Sequence, residues 1–267
     1  MSKTRKLKIV LVGSSHASAM KFAWDELGPE FPDIEVNYLA GRQEKLNRIK
    51  IGDHMAWYAP DGEQLEEAEI TDQYVQDYRA VLLSDADVVL HVGWSNDPAF
   101  LRDLMRRINI DGMPHHGAKA LMSRPAFDAI LQDYCQRSML PDTWHGWTSK
   151  HVICVETPRR SEAILDSQNA PKRPDEPTDG YREVFDLACD RLEDVMAQHA
   201  ITFVRQPAHT LAQSGLTRRQ YGIGSKRLRN GKHHPSQDLA HMNPDYGKQV
   251  WAAVLDKIQQ CPALHQH

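Results

Sequence analysis

The sequence has no Gly-x-Gly-x-x-Gly turn and no Walker-type phosphate loop, so neither a dinucleotide site nor a nucleoside triphosphate site is expected. It has no CxxC pair: Cys135, Cys154, Cys189 and Cys261 are widely scattered. That is not the dense pattern of a small disulfide-built secreted scaffold, and buried free thiols are expected. No apolar run reaches the length of a transmembrane helix. The basic start, Met1 to Lys6, runs into a short stretch interrupted by Lys8, which reads as a strand rather than a signal peptide. A cytoplasmic protein without a membrane partner is expected. There is no internal repeat and no excess of positive charge: the formal net charge of −4 gives no general attraction to nucleic acid. Basic residues do gather at Arg159-Arg160, at Arg218-Arg219 and from Lys226 to Lys232; a solvated loop is the expected meaning of such short runs, with anion contact as the alternative.

What is present is enough apolar residue, 41% of 267, for a well-buried core. Apolar runs at residues 7–12, 34–39, 86–92, 152–155 and 201–204 read as strands, and most of them close on a small residue or a proline. Helical spacing is read at residues 18–27, 73–83, 98–108, 119–136, 181–199 and 246–259. Residues 48–70, broken by Gly52, Pro60 and Gly62, suggest a hairpin-like excursion, and 167–180, with Pro171, Pro174 and Pro177 among charges, a mobile surface loop. Strands alternating with helices imply βαβ units. The expected fold is one α/β domain over residues 1–267: a three-layer α/β/α sandwich on a mainly parallel five-stranded sheet.

In an open α/β sheet, ligands gather at the carboxyl ends of the strands. The first strand ends there on Gly13-Ser14-Ser15-His16-Ala17. A serine in that turn is a turn residue, a helix cap or a nucleophile; it becomes a nucleophile only if a base takes its proton and a third group orients the base. Asp238 and His241, three residues apart between the last strand and the last helix, can lie on one side of a helix-like turn. The alternative is that Asp238 caps a turn and His241 is a surface histidine. His115-His116 and His233-His234 invite a metal reading, but adjacent histidines point to opposite sides and lack zinc spacing. Exposed loops are expected, with no metal and no cofactor. His16 is expected to order the turn. Trp94, Trp144 and Trp147 are core or wall residues, and Arg42 and Arg124 are surface ion pairs or anion contacts.

Gly13-Ser14-Ser15-His16-Ala17, with Asp238-Leu239-Ala240-His241-Met242-Asn243 and Tyr246-Gly247, resembles the SGNH/GDSL hydrolase superfamily, nearest to the branch whose first block reads Gly-Asn-Ser-His-Ala. The resemblance implies a flavodoxin-like fold and a triad of Ser15 as nucleophile, His241 as general base and acid, and Asp238 as its orienter. It implies an oxyanion hole from the Ser15 and Gly41 N–H groups and the Asn96 amide. Two departures stand out. Ser14 replaces the usual Asp or Asn before the nucleophile, and Gly93-Trp94-Ser95-Asn96 is one residue longer than the usual Gly-x-Asn. The implied function is a serine esterase acting on O-acyl, chiefly O-acetyl, groups of a small molecule or glycan. A glycan O-acyltransferase and a non-catalytic ligand-binding protein on the same scaffold are the alternatives.

Overall fold

The computed structural model describes residues 5–41, 48–58, 66–84, 86–93, 99–105, 107–113, 118–139, 150–166 and 179–265. Five parallel strands form the main sheet: β1 (Leu7–Gly13), β2 (Ile34–Ala40), β6 (Val88–Val92), β9 (His151–Val155) and β10 (Ile201–Val204). Their order across the sheet is β10-β9-β6-β1-β2. Counted among themselves this is 2-1-3-4-5, the flavodoxin-like order, with the switch point between β1 and β6. The chain reverses its direction of travel across the sheet there, so a crevice opens above the end of β1. The interior of β1 and all of β6 are buried, which is why these strands read as continuous apolar runs instead of alternating ones.

Each face is covered by a different set of elements. Ile9, Leu11, Val88 and Leu90 pack under α1 (Ala17–Leu27) and α6 (Pro244–Gln259), while Val10, Val12, Leu39 and Val89 point the other way. This is the period-two alternation of a strand. On the second face the β9–β10 half is covered by α4 (Arg124–Ser138) and α5 (Asp179–Gln198), which bury Phe127, Leu131, Val184 and Leu192 with Cys154 and Phe203. Over the β1–β2 half lies a small antiparallel sheet, β3 (Lys50–Ile51), β4 (Met55–Trp57) and β5 (Ala80–Leu82). The α/β/α arrangement therefore holds, with that small sheet covering the main sheet in the crossover from β2 to β6.

Three readings of the sequence change. The helix expected at 73–83 stops at Gln76 (α2, Asp72–Gln76), and after Tyr78 turns at φ 59° residues 80–82 pair with β4. The helix expected at 98–108 is α3 (Ala99–Met105) followed by β7 (Ile108–Ile110), which pairs in parallel with β8 (Ala120–Met122). The helix expected from 119 starts at Arg124, where Pro125 occupies the first turn and supplies the preset φ that opens a helix. The loop expected at 167–180 lies outside the described residues except for Asp179 and Gly180, which begin α5. The four cysteines are free, and three of them are buried. No described helix is long and apolar enough to cross a membrane.

The site depends on how closely α1 and α6 approach. Gly247, in the first turn of α6, faces Ala19 in the first turn of α1; a β-carbon on it would lie 2.1 Å from the Ala19 carbonyl oxygen. Trp251 fastens the contact by donating from Nε1 to the Met20 carbonyl at 2.8 Å, and its ring meets Trp24 at 4.5 Å. The residues just before the two helices are thereby brought together.

Candidate active site

The turn after β1 separates two adjacent serines into different roles. Ser14 is buried and its N–H donates to the Val92 carbonyl at 3.0 Å, extending the β1–β6 contact. Its Oγ sits in the turn, 3.4 Å from the His16 N–H. Ser15 is exposed. Glycine is required on both sides of the turn. A β-carbon on Gly13 would lie 2.9 Å from the Val92 carbonyl, and one on Gly93, which sits at φ +68°, would lie 2.2 Å from Ser14 Oγ.

Opposite Ser15 stands the segment between β10 and α6. Asp238 Oδ1 accepts from the N–H groups of Ala240 and His241, each at 3.0 Å. This fixes the carboxylate and leaves Oδ2 facing the His241 ring, whose Nδ1 is 2.8 Å away. Burial alone would raise the Asp238 pKa, but the hydrogen bonds from the His241 backbone, the His241 ring and the Ala240 N–H prevail and hold it below the usual carboxylate value. A carboxylate only accepts, so Nδ1 carries the ring proton and Nε2 presents its lone pair. That lone pair meets Ser15 Oγ at 2.7 Å. The structure thus brings Ser15, His241 and Asp238 into one hydrogen-bonded relay from residues 226 positions apart.

The His241 ring is held on both faces. His16 stacks on one side with centroids 5.2 Å apart, and His234 on the other at 4.1 Å and 10°. Burial, and then the neighbouring His241, bring the His16 pKa down to about 3. Burial and His241, in that order, also lower His234. Burial thus disfavours a charge on either flanking ring.

His234 corrects the expectation of an exposed loop. Of the second pair, His233-His234, His233 is exposed, its Nδ1 near the Gly224 carbonyl at 3.2 Å, whereas the His234 side chain is 12% exposed and places Nδ1 3.0 Å from Asp238 Oδ2. The signal was the spacing His234-x-x-x-Asp238-x-x-His241. These three groups offer ligand atoms within 4.8 Å of one another. Two parallel rings, however, leave no point near both nitrogens that lies in both ring planes, as coordination by imidazole requires. The set is built as a stacked relay.

The expected oxyanion donors fare differently. Among the described residues the Ser15 N–H has no acceptor. The Gly41 N–H is spent: it donates to the Gly13 carbonyl at 3.1 Å, one rung beyond the β1–β2 ladder. In this arrangement Gly41 is a turn glycine, because a proton engaged in the sheet is not offered to a substrate oxygen. Asn96 lies outside the described residues, as do Trp94, Trp144, Trp147, Arg42, His115 and His116. Arg124 forms a surface ion pair with Asp128 at 3.0 Å.

The loop from 215 to 225 is tied to the same framework. Asn243 caps α6 by accepting from the Tyr246 N–H at 3.0 Å, while its Nδ2 donates to the carbonyls of Gln220 and Ile223 at 2.8 and 2.9 Å. A cavity of about 270 Å³ opens beside Asp238 and His234, lined also by Ser161, Arg219, Ser225 and Ser236.

No protein-family model and no curated protein matches the chain. Among solved structures it is similar to a Streptococcus pneumoniae chain provisionally named a platelet activating factor, with 10% identity, 95% of this chain and 84% of that chain covered, and a TM-score of 0.48. It is similar also to a GDSL-like lipase from Bacteroides thetaiotaomicron, with 10% identity, coverage of 95% and 88% and a TM-score of 0.40. A third is the periplasmic domain of a lipopolysaccharide acetyltransferase from Salmonella ser. Paratyphi A, with 13% identity, coverage of 96% and 85% and a TM-score of 0.41.

Proposed function

We propose that this chain is a serine esterase that cleaves O-acyl esters through an acyl-enzyme on Ser15. The observation that carries this reading is the relay itself: Ser15 Oγ 2.7 Å from His241 Nε2, and His241 Nδ1 2.8 Å from an Asp238 carboxylate that the backbone holds in place. Serine hydroxyl, neutral imidazole and carboxylate in that order make a general-base-activated nucleophile.

As Ser15 Oγ bonds to the ester carbonyl carbon, its proton passes to His241 Nε2 and the carbonyl π pair moves onto oxygen. The Ser15 N–H, at the positive end of α1, faces that oxyanion. Collapse expels the alcohol oxygen, which takes the proton from Nε2 and leaves the acyl group on Ser15. Water then repeats the sequence: His241 takes its proton, the hydroxide adds to the acyl carbon, and Ser15 leaves with the proton returned. Ser15 is exposed, so water has access to the acyl-enzyme. The SGNH-like blocks at the two ends of the chain support O-acetyl groups, on a glycan or a small molecule, as the substrate class.

Hydrolysis of p-nitrophenyl acetate by wild type and by Ser15→Ala tests the reading. The variant is expected to lose at least about 10³-fold in kcat/KM; a variant with full activity contradicts it.

A further inference from the structure

The basic run from Lys226 to Lys232 was read from the sequence as a solvated loop, but the structure gives it a specific place. It forms a small hairpin. Lys226 bridges His233, the Arg227 N–H donates to the Lys232 carbonyl at 2.8 Å, and the Gly231 N–H donates to the Arg227 carbonyl at 2.9 Å. The next residue is His234, which stacks on His241 and whose N–H returns to the Ser225 carbonyl at 2.9 Å. The base of the hairpin is therefore built onto the triad.

Its other end extends over α1 and toward the residues beside the end of β2. Lys226 Nζ stands 5.3 Å over the Phe22 ring of α1, and Leu228 packs against the core beneath α1 and α6. Arg227 lies near enough to His234, and Arg229 near enough to Tyr58 and Asp77, for their charges to act there. Tyr58 donates to the carbonyl of Ala40, the last residue of β2, and Ala40 pairs with Gly13, two residues before Ser15.

Four cations, Lys226, Arg227, Arg229 and Lys232, stand in seven residues without an acid. Among the described residues none of the four forms an ion pair. Elsewhere, half-buried surface cations do pair: Arg79 with Asp77 at 2.6 Å, Arg124 with Asp128 at 3.0 Å, Lys248 with Glu26 at 2.6 Å. Asp77, on which the Arg229 charge acts, is thus already held by Arg79. Unpaired cations concentrated at a crevice mouth, in a chain of formal net charge −4, draw anions to that mouth.

We propose that the hairpin 226–232 is an anion-recognition strip of this site, and that the ester substrate carries a carboxylate or phosphate on the part of the molecule next to the acylated oxygen. This rests on the esterase reading of Ser15. Arg227 and Arg229 supply planar forks that match either anion, and Lys226 and Lys232 add point charge.

The test compares three acetyl esters of similar size: an acetylated hexose, an acetylated hexuronic acid and an acetylated hexose phosphate. Release of acetate is measured at about 20 mM and about 500 mM NaCl, which lie on either side of effective screening. Wild type is expected to favour at least one anionic ester by about tenfold or more in kcat/KM at low salt, and the preference shrinks to about threefold or less at high salt. The double variant R227Q/R229Q loses the preference, while Arg137→Gln, on the remote Arg137–Asp133 ion pair of α4, keeps it. The carboxylate and phosphate arms report which anion the strip takes. Equal rates on all three esters in wild type overturn the proposal. So does a double variant that loses activity on charged and neutral esters by the same factor. If wild type cleaves none of the esters and Ser15 takes no fluorophosphonate label, the esterase reading itself has failed, and the strip falls with it.

Discussion

Replacing Gly247 with alanine adds one methyl group far from any reacting atom, yet it acts directly on the relay. The new β-carbon would lie 2.1 Å from the Ala19 carbonyl oxygen, 2.6 Å from the Ala19 carbonyl carbon and 2.8 Å from Ala23 Cβ, where ordinary contact begins at 3.4 Å. Two of these obstacles are backbone and cannot rotate away. The start of α6 must therefore retreat by about 1.3 Å, the difference between 2.1 and 3.4 Å. His241 lies six residues before Gly247, and Ser15 four before Ala19. A retreat of that size carries Nε2 from 2.7 Å to about 4 Å from Ser15 Oγ, beyond hydrogen-bond reach. Misplacement of about 1 Å costs on the order of 10² in rate. Stability changes less: overpacking costs about 1–3 kcal/mol, and the better helix propensity of alanine returns about 1 kcal/mol. The expected outcome is a folded Gly247→Ala variant with a Tm a few degrees lower at most and kcat/KM on p-nitrophenyl acetate reduced about 100-fold. A variant with wild-type activity and a raised Tm, the signature of helix propensity acting alone, refutes the reasoning.

Asp238→Asn keeps the size of the side chain but replaces an acceptor-only oxygen with an amide at one of the two positions. Because the Ala240 and His241 N–H groups engage Oδ1, the new NH₂ is directed at His241 Nδ1 and favours the wrong tautomer; a loss of about 10⁴ in kcat is expected from a pH-rate series. His16 and His91 are both lowered by burial to a pKa of about 3, so between there and the ordinary histidine value the unfolded chain binds protons that the folded chain does not. Stability is complete above about pH 6.5 and falls as the pH drops, by up to about 1.4 kcal/mol per pH unit for each histidine. Thermal melts from pH 7 to 4.5 should show that slope, and His91→Leu should flatten it. Asn243→Ala removes the α6 cap and the clasp on Gln220 and Ile223 together; a loss of about 1–2 kcal/mol is expected in urea titration.

The parts of this fold that were legible in the sequence are those with a long enough period. β1, β6, β9 and β10 announce themselves as apolar runs because both of their faces are covered, and α5 and α6 as amphipathic repeats. β5 and β7 are three residues each, too short for a period. Each exists because of a pairing partner elsewhere in the chain, so residues 80–82 and 108–110 were absorbed into neighbouring helical patterns. The grouping of Ser15, His241 and Asp238 was legible because the resemblance that implies it is carried by local motifs at the two ends of the chain. His234 offered only its spacing to Asp238 and His241, since its part depends on a ring-on-ring contact that only the folded loop produces. Gly41 shows the converse: the resemblance implies a free N–H after β2, but the parallel ladder continues one rung further and takes that proton.

The central claim is that Ser15, and not the buried Ser14 beside it, is the nucleophile. The direct measurement is mass spectrometry of the folded protein after treatment with a fluorophosphonate, read at the peptide spanning Gly13 to Lys21. The account predicts a stoichiometric adduct on Ser15, absent from His241→Ala and from heat-unfolded protein. An adduct on Ser14, or none while the same protein hydrolyses p-nitrophenyl acetate, would contradict it.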